Sequence, residues 1–201
     1  MPDSYRVQVF VDFWNYTLGV RQIDSSFKTD WRSLPKILTR EAGNLVDPGA
    51  LAIYQGMNVY GSYNKNSEKS LHRWATNTLD TFAGVNVHFR PRNKKKSYPS
   101  CPNCHTEAKI CTNCGTDMRG TEEKGIDTRI ATDLVSLAWE GAYDVAVLVS
   151  SDQDFVPAAE YLQNKGIKVI HGGIANRGHH LKQKCWGALD VAAFKKDFEQ
   201  C

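Results

Sequence analysis

The sequence predicts an α/β sandwich, a mainly parallel central sheet with helices on both faces. Three observations predict it. Short β-rich runs alternate along the chain with segments of helical periodicity. The run Val145-Ala146-Val147-Leu148-Val149 is apolar at every position, which marks a strand covered on both faces. Two helical segments stop at glycines, Gly141 and Gly166, where the left-handed residue of a helix C-terminus belongs. Alternation of this kind builds a parallel sheet between two helical layers.

The elements follow in order. Residues 7–11 form the first strand, which ends at Asp12, and a mixed polar segment comes next. Residues 31–40 are expected to be helical, and Asp47-Pro48-Gly49 is a turn. Residues 50–61 read as a second strand with its core at Leu51-Ala52-Ile53-Tyr54, extended by Val59 and Tyr60. Over residues 68–82 Leu71, Trp74, Ala75, Thr78, Leu79 and Phe82 fall on one helical face. Residues 85–89 are a short strand. Residues 90–123 hold a basic run and four cysteines, with too few apolar side chains for a core of their own. Over residues 126–140 Asp127, Ile130, Ala131, Leu134, Leu137 and Ala138 share a face at 3.6-residue spacing. After the strand at 145–149 come a helix at 157–165, a buried strand at 167–170 and a helical or mixed ending over 182–198. No internal repeat is read.

Composition bounds the function. The 201 residues carry 25 basic and 22 acidic side chains, 41% are hydrophobic and 23% charged, which excludes a disordered chain, a coiled coil and a collagen. The length suits a single domain over 1–201, with an inserted module at 97–119. No apolar run approaches the roughly 18–20 residues of a membrane span. The N-terminus lacks a basic stretch followed by an apolar one of signal length, so a cytoplasmic protein without membrane contact is expected. Oligomeric state is left open, a homo-oligomer included.

Parallel α/β sheets bind ligands at the carboxyl ends of their strands. Asp12 follows the first strand, and Asp152 and Asp154 follow the strand at 145–149. Asp127 opens a helix that starts at the same edge, and Asn15 lies three residues beyond Asp12. Each aspartate taken alone has a plainer reading, since Asp is a favoured helix cap. Together they gather hard oxygen donors from three distant segments, the ligand type of Mg²⁺ or Mn²⁺. Such an ion orients a phosphodiester and activates water, so the expected reaction is metal-dependent phosphodiester hydrolysis. Asp133, six residues into its helix by position, is a weaker candidate.

Three motifs carry a resemblance. Val9-Phe10-Val11-Asp12-Phe13-Trp14-Asn15 resembles the first motif of NYN domains, a branch of the PIN-like ribonucleases. Lys124-Gly125-Ile126-Asp127 with Ala131-Thr132-Asp133-Leu134 resembles the second. The stretch from Val147 to Pro157, with Ser150-Ser151-Asp152-Gln153-Asp154-Phe155, resembles the third, and Gly166-Ile167-Lys168-Val169 fits the strand after it. The similarity is greatest to the LabA-like bacterial branch. It implies a PIN-like three-layer sandwich and a metal-dependent ribonuclease. Asp12, Asp127, Asp152 and Asp154 would take metal or catalytic roles, with Asn15 in support and Asp133 as a further member. Ser150 and Ser151 would contact substrate.

Two features lie outside that pattern. Cys101, Cys104, Cys111 and Cys114 form two Cys-x-x-Cys pairs, the spacing of a structural Zn²⁺ site in a small zinc-ribbon-like insert. An iron–sulfur cluster is a lesser alternative. His105 reads as a neighbour of the metal or a surface residue, Cys185 as buried, and Cys201 as a tail residue. Arg90, Arg92, Lys94, Lys95 and Lys96 fall within seven positions uninterrupted by an acid. Such runs are often solvated loops; this one leaves a strand at the rim of the site, where cations meet RNA phosphates. Tyr98 offers a surface for a base, while Trp14 reads as core before base platform.

The leading reading is an endoribonuclease acting on RNA. One alternative is a zinc-containing RNA-binding module with an inactive PIN-like site. Another is a Toprim-like phosphotransfer enzyme, which the Asp152-x-Asp154 spacing also fits but which wants a glutamate where Asp12 stands.

Overall fold

The structure, a computed structural model, describes residues 4–174 and 177–200. Cys201 lies outside them. Strand β1 (Ser4–Asp12) leads without a loop into helix α1 (Phe13–Ile23). Then come α2 (Leu34–Val46), β2 (Leu51–Tyr63), α3 (Lys69–Asn77) and β3 (Val85–Pro91). A two-stranded ribbon, β4 (Asn93–Lys94) and β5 (Thr121–Glu122), closes the base of the cysteine segment. The chain ends with α4 (Ile126–Trp139), β6 (Val145–Val149), α5 (Val156–Asn164), β7 (Lys168–Gly173), α6 (His179–Lys184) and β8 (Gly187–Asp190). Short 3₁₀ turns cover Leu79–Thr81, Gln153–Phe155 and Val191–Phe198.

Six strands form one sheet in the order β3-β2-β1-β6-β7-β8, and every neighbouring pair is parallel. The alternation of side chains on β1 explains the three layers. Val7, Val9 and Val11 face α1 and α2, packing with Phe13, Tyr16, Leu34 and Leu38. Phe10 faces the other way, against Ile126, Ile130 and Leu134 of α4 and Ala159 and Leu162 of α5. The fully buried β6 is the expected central strand.

Three expectations need correction, and the ending takes the mixed form of the two expected. The polar segment after Asp12 is helix α1; only Phe13, Tyr16, Gly19 and Val20 are buried on it, a stripe too thin to stand out. Helix α2 starts at Leu34, with Pro35 in its first turn, and continues to Val46. The buried part of β2 is 56–62, not 51–54, because β3 pairs with it only from Met57 onward and leaves the first half at an edge. The ending is mixed: β8 extends the sheet alongside β7 although its four residues, Gly-Ala-Leu-Asp, lack any β-branched side chain.

Candidate functional site

All six parallel strands bring their carboxyl ends to one edge. Asp12, the last residue of β1, is 6% exposed and caps α1: its Oδ1 accepts from the Asn15 backbone N–H at 3.2 Å. Its Oδ2 accepts from Asn15 Nδ2 at 2.5 Å and from the Ser150 hydroxyl at 3.1 Å. The hydroxyl of Ser150, buried at the end of β6, in turn accepts from the Asp152 N–H at 3.2 Å. The Ser151 N–H donates to Asn15 Oδ1 at 3.3 Å. Asp152 caps the following 3₁₀ turn through the Asp154 N–H at 2.9 Å. One hydrogen-bonded network thus ties β1 to β6 and fixes Asp12.

Asp127 and Asp154 complete the group. Burial, and then the charges of Asp12, Asp152 and Asp154, raise the Asp127 carboxyl above the ordinary range. Capping explains Asp12 and Asp152 but not Asp127: the residue before α4 is Gly125, in the left-handed region, and no side chain caps that helix. Burial also raises Asp12, opposed by the hydrogen bonds of Asn15 and Ser150 and reinforced by the charge of Glu123. Glu123 is a neighbour that sequence reasoning missed. It accepts a hydrogen bond from Ser62 of β2. Among the described residues, no three acidic, histidine or cysteine side chains stand close enough, as placed, to share one ion.

Asp133 belongs to a different network. It accepts from the Tyr60 hydroxyl at 2.9 Å and from Arg129 Nε at 2.7 Å, with His88 Nε2 at 3.9 Å. Its charge is not among those that act on Asp127.

Residues 6–190 match the NYN domain. The chain belongs to the NYN domain family. Family members are in general nucleases of the PIN-like type, and the parallel sheet between two helical layers agrees with that fold. An uncharacterised protein of Sinorhizobium fredii is 33% identical over a stretch covering 36% of this chain and 38% of the relative's own length. The solved structure of a protein of unknown function from Vibrio parahaemolyticus matches with a TM-score of 0.57 and 18% identity. That match covers 100% of this chain and 99% of the other, and shows a shared fold. No helix among the described residues is long and apolar enough to cross a membrane.

The basic run of this NYN domain is divided in its duties. Arg92 pairs with Glu68 and lies 5.3 Å over the Trp14 ring. Lys94 Nζ is 2.9 Å from Asp117. Both cations therefore already have a carboxylate neighbour within the chain. Arg90, Lys95 and Lys96 are exposed, and no carboxylate partner is found for them among the described residues. Arg90 also approaches the start of α4: a β-carbon at Gly125 would stand 3.3 Å from its Nη1. Trp14 donates its Nε1–H to the Ser62 carbonyl at 2.7 Å and packs on the core, as expected. Tyr98 carries Arg119 at 5.1 Å and Lys109 at 5.8 Å over its ring.

The insert sits in the β3–α4 connection and is a ten-residue repeat, contrary to the expectation of none. In the first unit the Cys101 N–H donates to the Thr106 carbonyl at 3.0 Å and the His105 N–H to the Cys101 carbonyl at 2.9 Å. In the second the Cys111 N–H donates to Thr116 at 2.8 Å and the Gly115 N–H to Cys111 at 2.9 Å. His105 and Gly115 hold the same left-handed place, with φ of 58° and 70°. Hydrogen bonds from Thr106 and then Cys101 bring the Cys104 thiol down to about 7; Thr116 and Cys111 lower Cys114 likewise. These knuckles favour thiolates, the form that binds metal.

Proposed function

We propose that the chain is a metal-dependent ribonuclease, with Asp12, Asp127, Asp152 and Asp154 holding Mg²⁺ or Mn²⁺. The observation that carries this is the gathering of carboxylates from three segments at one sheet edge: Asp12 ends β1, Asp152 and Asp154 follow β6, and Asp127 opens α4 near enough to feel the charges of all three. Like charges crowded without a partner are costly, and a hard cation relieves them. The donor set, all carboxylate oxygens, fits such an ion. When bound, it would polarise the scissile phosphate and lower the pKa of the attacking water.

The chain's own residues supply the rest. Asn15 and Ser150 hold Asp12 in one orientation, as a ligand within a reactive site requires. Arg90, Lys95 and Lys96 meet the substrate's phosphates on the β3 side. The proposed module at 97–119, carried by Zn²⁺ on Cys101, Cys104, Cys111 and Cys114, presents Lys95 and Lys96 from its base. The test is incubation of labelled single-stranded and structured RNA with Mn²⁺, Mg²⁺ or EDTA. Cleavage is expected with the metals and not with EDTA; intact RNA under every condition overturns the proposal.

A second expectation concerns the free cations. Replacing Lys95 and Lys96 by Ala lowers RNA affinity and reduces the salt slope of binding by roughly one unit per lost phosphate contact. Arg92→Ala instead removes the partner of Glu68 and the cover of Trp14, so it reads out as a lower melting temperature. An unchanged slope in the lysine variant would make the run a solvated loop.

A further inference from the structure

Beside the carboxylates, at the ends of β7 and β8, lies a cavity of about 270 Å³. His171, Gly173, Arg177, His179, Lys182 and Asp190 line it. None of them figures in the reading above.

His171 is 1% exposed, and its Nε2 lies 2.9 Å from the Ser150 carbonyl. A carbonyl only accepts, so Nε2 carries the hydrogen. Burial holds the imidazole below its ordinary pKa, so the ring is neutral near pH 7. Its other nitrogen, Nδ1, is then an acceptor. That atom is buried and has no hydrogen-bond partner among the described residues. A buried polar atom left without a partner is uncommon and calls for an explanation.

Gly173 packs against this ring. Its φ is not in the left-handed region, so its backbone does not demand glycine. A β-carbon there would stand 3.3 Å from Nδ1 and 2.8 Å from Cε1 of His171. Glycine thus lets the chain pack directly against the ring that carries the orphaned acceptor, and both residues line the cavity. Around it stand the cations. The Arg177 guanidinium bonds only to the neutral Gln22 among the described residues, and Lys182 lies near enough to depress His171. Asp190 already accepts from the Ala192 N–H at 3.0 Å.

An acceptor among cations selects a ligand that pairs a hydroxyl donor with negative charge. A phosphodiester by itself, which has no hydroxyl, satisfies the cations and leaves Nδ1 unmet. A ribonucleotide offers both groups, the 2′-hydroxyl and its phosphodiester, and deoxyribonucleotides lack the first. Ser150 joins the two places, since its carbonyl faces His171 while its hydroxyl faces Asp12. We propose that this cavity binds the 2′-hydroxyl of a ribonucleotide adjacent to the scissile bond, His171 Nδ1 accepting its hydrogen while Arg177 and Lys182 face the phosphate. The proposal rests on the ribonuclease reading and explains how such an enzyme tells RNA from DNA.

The test uses the full chain carrying Asp152→Asn, to prevent cleavage, and a short single-stranded RNA alongside DNA of the same sequence. RNA is expected to bind roughly 2- to 12-fold more tightly, the worth of one neutral hydrogen bond. A scan placing single 2′-deoxy or 2′-O-methyl residues should reproduce that loss at one position, because both changes remove the donor. Gly173→Ala, whose β-carbon would stand 2.8 Å from Cε1 and so push the ring and its Nδ1 aside, should bring RNA down to the affinity of DNA and leave DNA unchanged. Should that variant fail to fold, the scan on the Asp152→Asn chain decides alone. Equal binding of RNA and DNA, or a flat scan, overturns the proposal. Cleavage by the unaltered chain reports separately on the carboxylates. Cleavage without 2′-hydroxyl discrimination removes the cavity's role and leaves the hydrolysis; discrimination without cleavage does the reverse.

Discussion

Asp12→Asn and Asp152→Asn each lower RNA cleavage by at least about 100-fold, the upper end of what loss of a residue merely supporting a ligand costs. Neither change should unfold the protein, because Asn caps a helix as well as Asp does. Asp12→Asn keeps an acceptor for the Asn15 N–H and removes a buried negative charge. Since burial raises the Asp12 carboxyl above its unfolded value, its ionised form destabilises the fold. Any stability tied to its proton is present below the unfolded pKa and is lost as pH rises through the folded one. The Asn variant therefore melts at or above the temperature of the unaltered chain at neutral pH, an exchange of activity for stability familiar from active sites. Cleavage assays with Mn²⁺, paired with thermal melts, check both halves. A variant that cuts RNA at the unaltered rate would remove that residue from the site.

What was legible in the chain depended on how local the signal was. The strand Val145–Val149 declared itself because burial on both faces leaves no polar position to confuse the pattern. The sheet edge holding Asp12, Asp127, Asp152 and Asp154 followed from the rule for parallel sheets. Helix α1 escaped notice because Asn15 serves the site, while Leu18, Arg21 and Gln22 face outward among its few buried positions. Glu123 and His171 were invisible for another reason. Their partners, Ser62 and Ser150, are 61 and 21 residues away, so only the folded chain shows what they touch. Asp133 is the converse case: the motif resemblance includes it, and the fold shows what the motif does not, a tyrosine from β2 and Arg129 bonded to its carboxylate. The basic run illustrates the limit of counting charge. Arg92 and Lys94 resemble Lys95 and Lys96 in sequence, but Glu68 pairs with Arg92, and Asp117, which Arg119 also holds, pairs with Lys94.

The cysteine knuckles carry the second large expected effect. Purified chain should contain about one zinc, following the stoichiometry of four thiolates to one ion. The two units share backbone hydrogen bonds and a left-handed residue, so each already presents its pair of sulfurs; an ion would unite the pairs. The insert offers Ile110 and Met118 to the solvent, and no residue between 99 and 110 is buried, so packing contributes little to its order. Apparent binding energies of about 10–16 kcal/mol for structural zinc in finger peptides exceed anything so small a segment gains by burial. Cys104→Ser should therefore lose the metal and leave the segment at 97–119 open to proteolysis. The sheet, whose core lies elsewhere, should keep its melting transition. The binding is expected to weaken as pH falls below about 7, where the Cys104 thiol takes up its proton. Elemental analysis with thiol titration and limited proteolysis measures each of these. Chain without zinc, its four thiols titrating freely, would refute the assignment, and iron with visible absorbance would point to a cluster instead. RNA binding by the metal-free variant then tells whether the knuckles hold Lys95 and Lys96 in place: a salt slope reduced as in the double lysine variant means that they do.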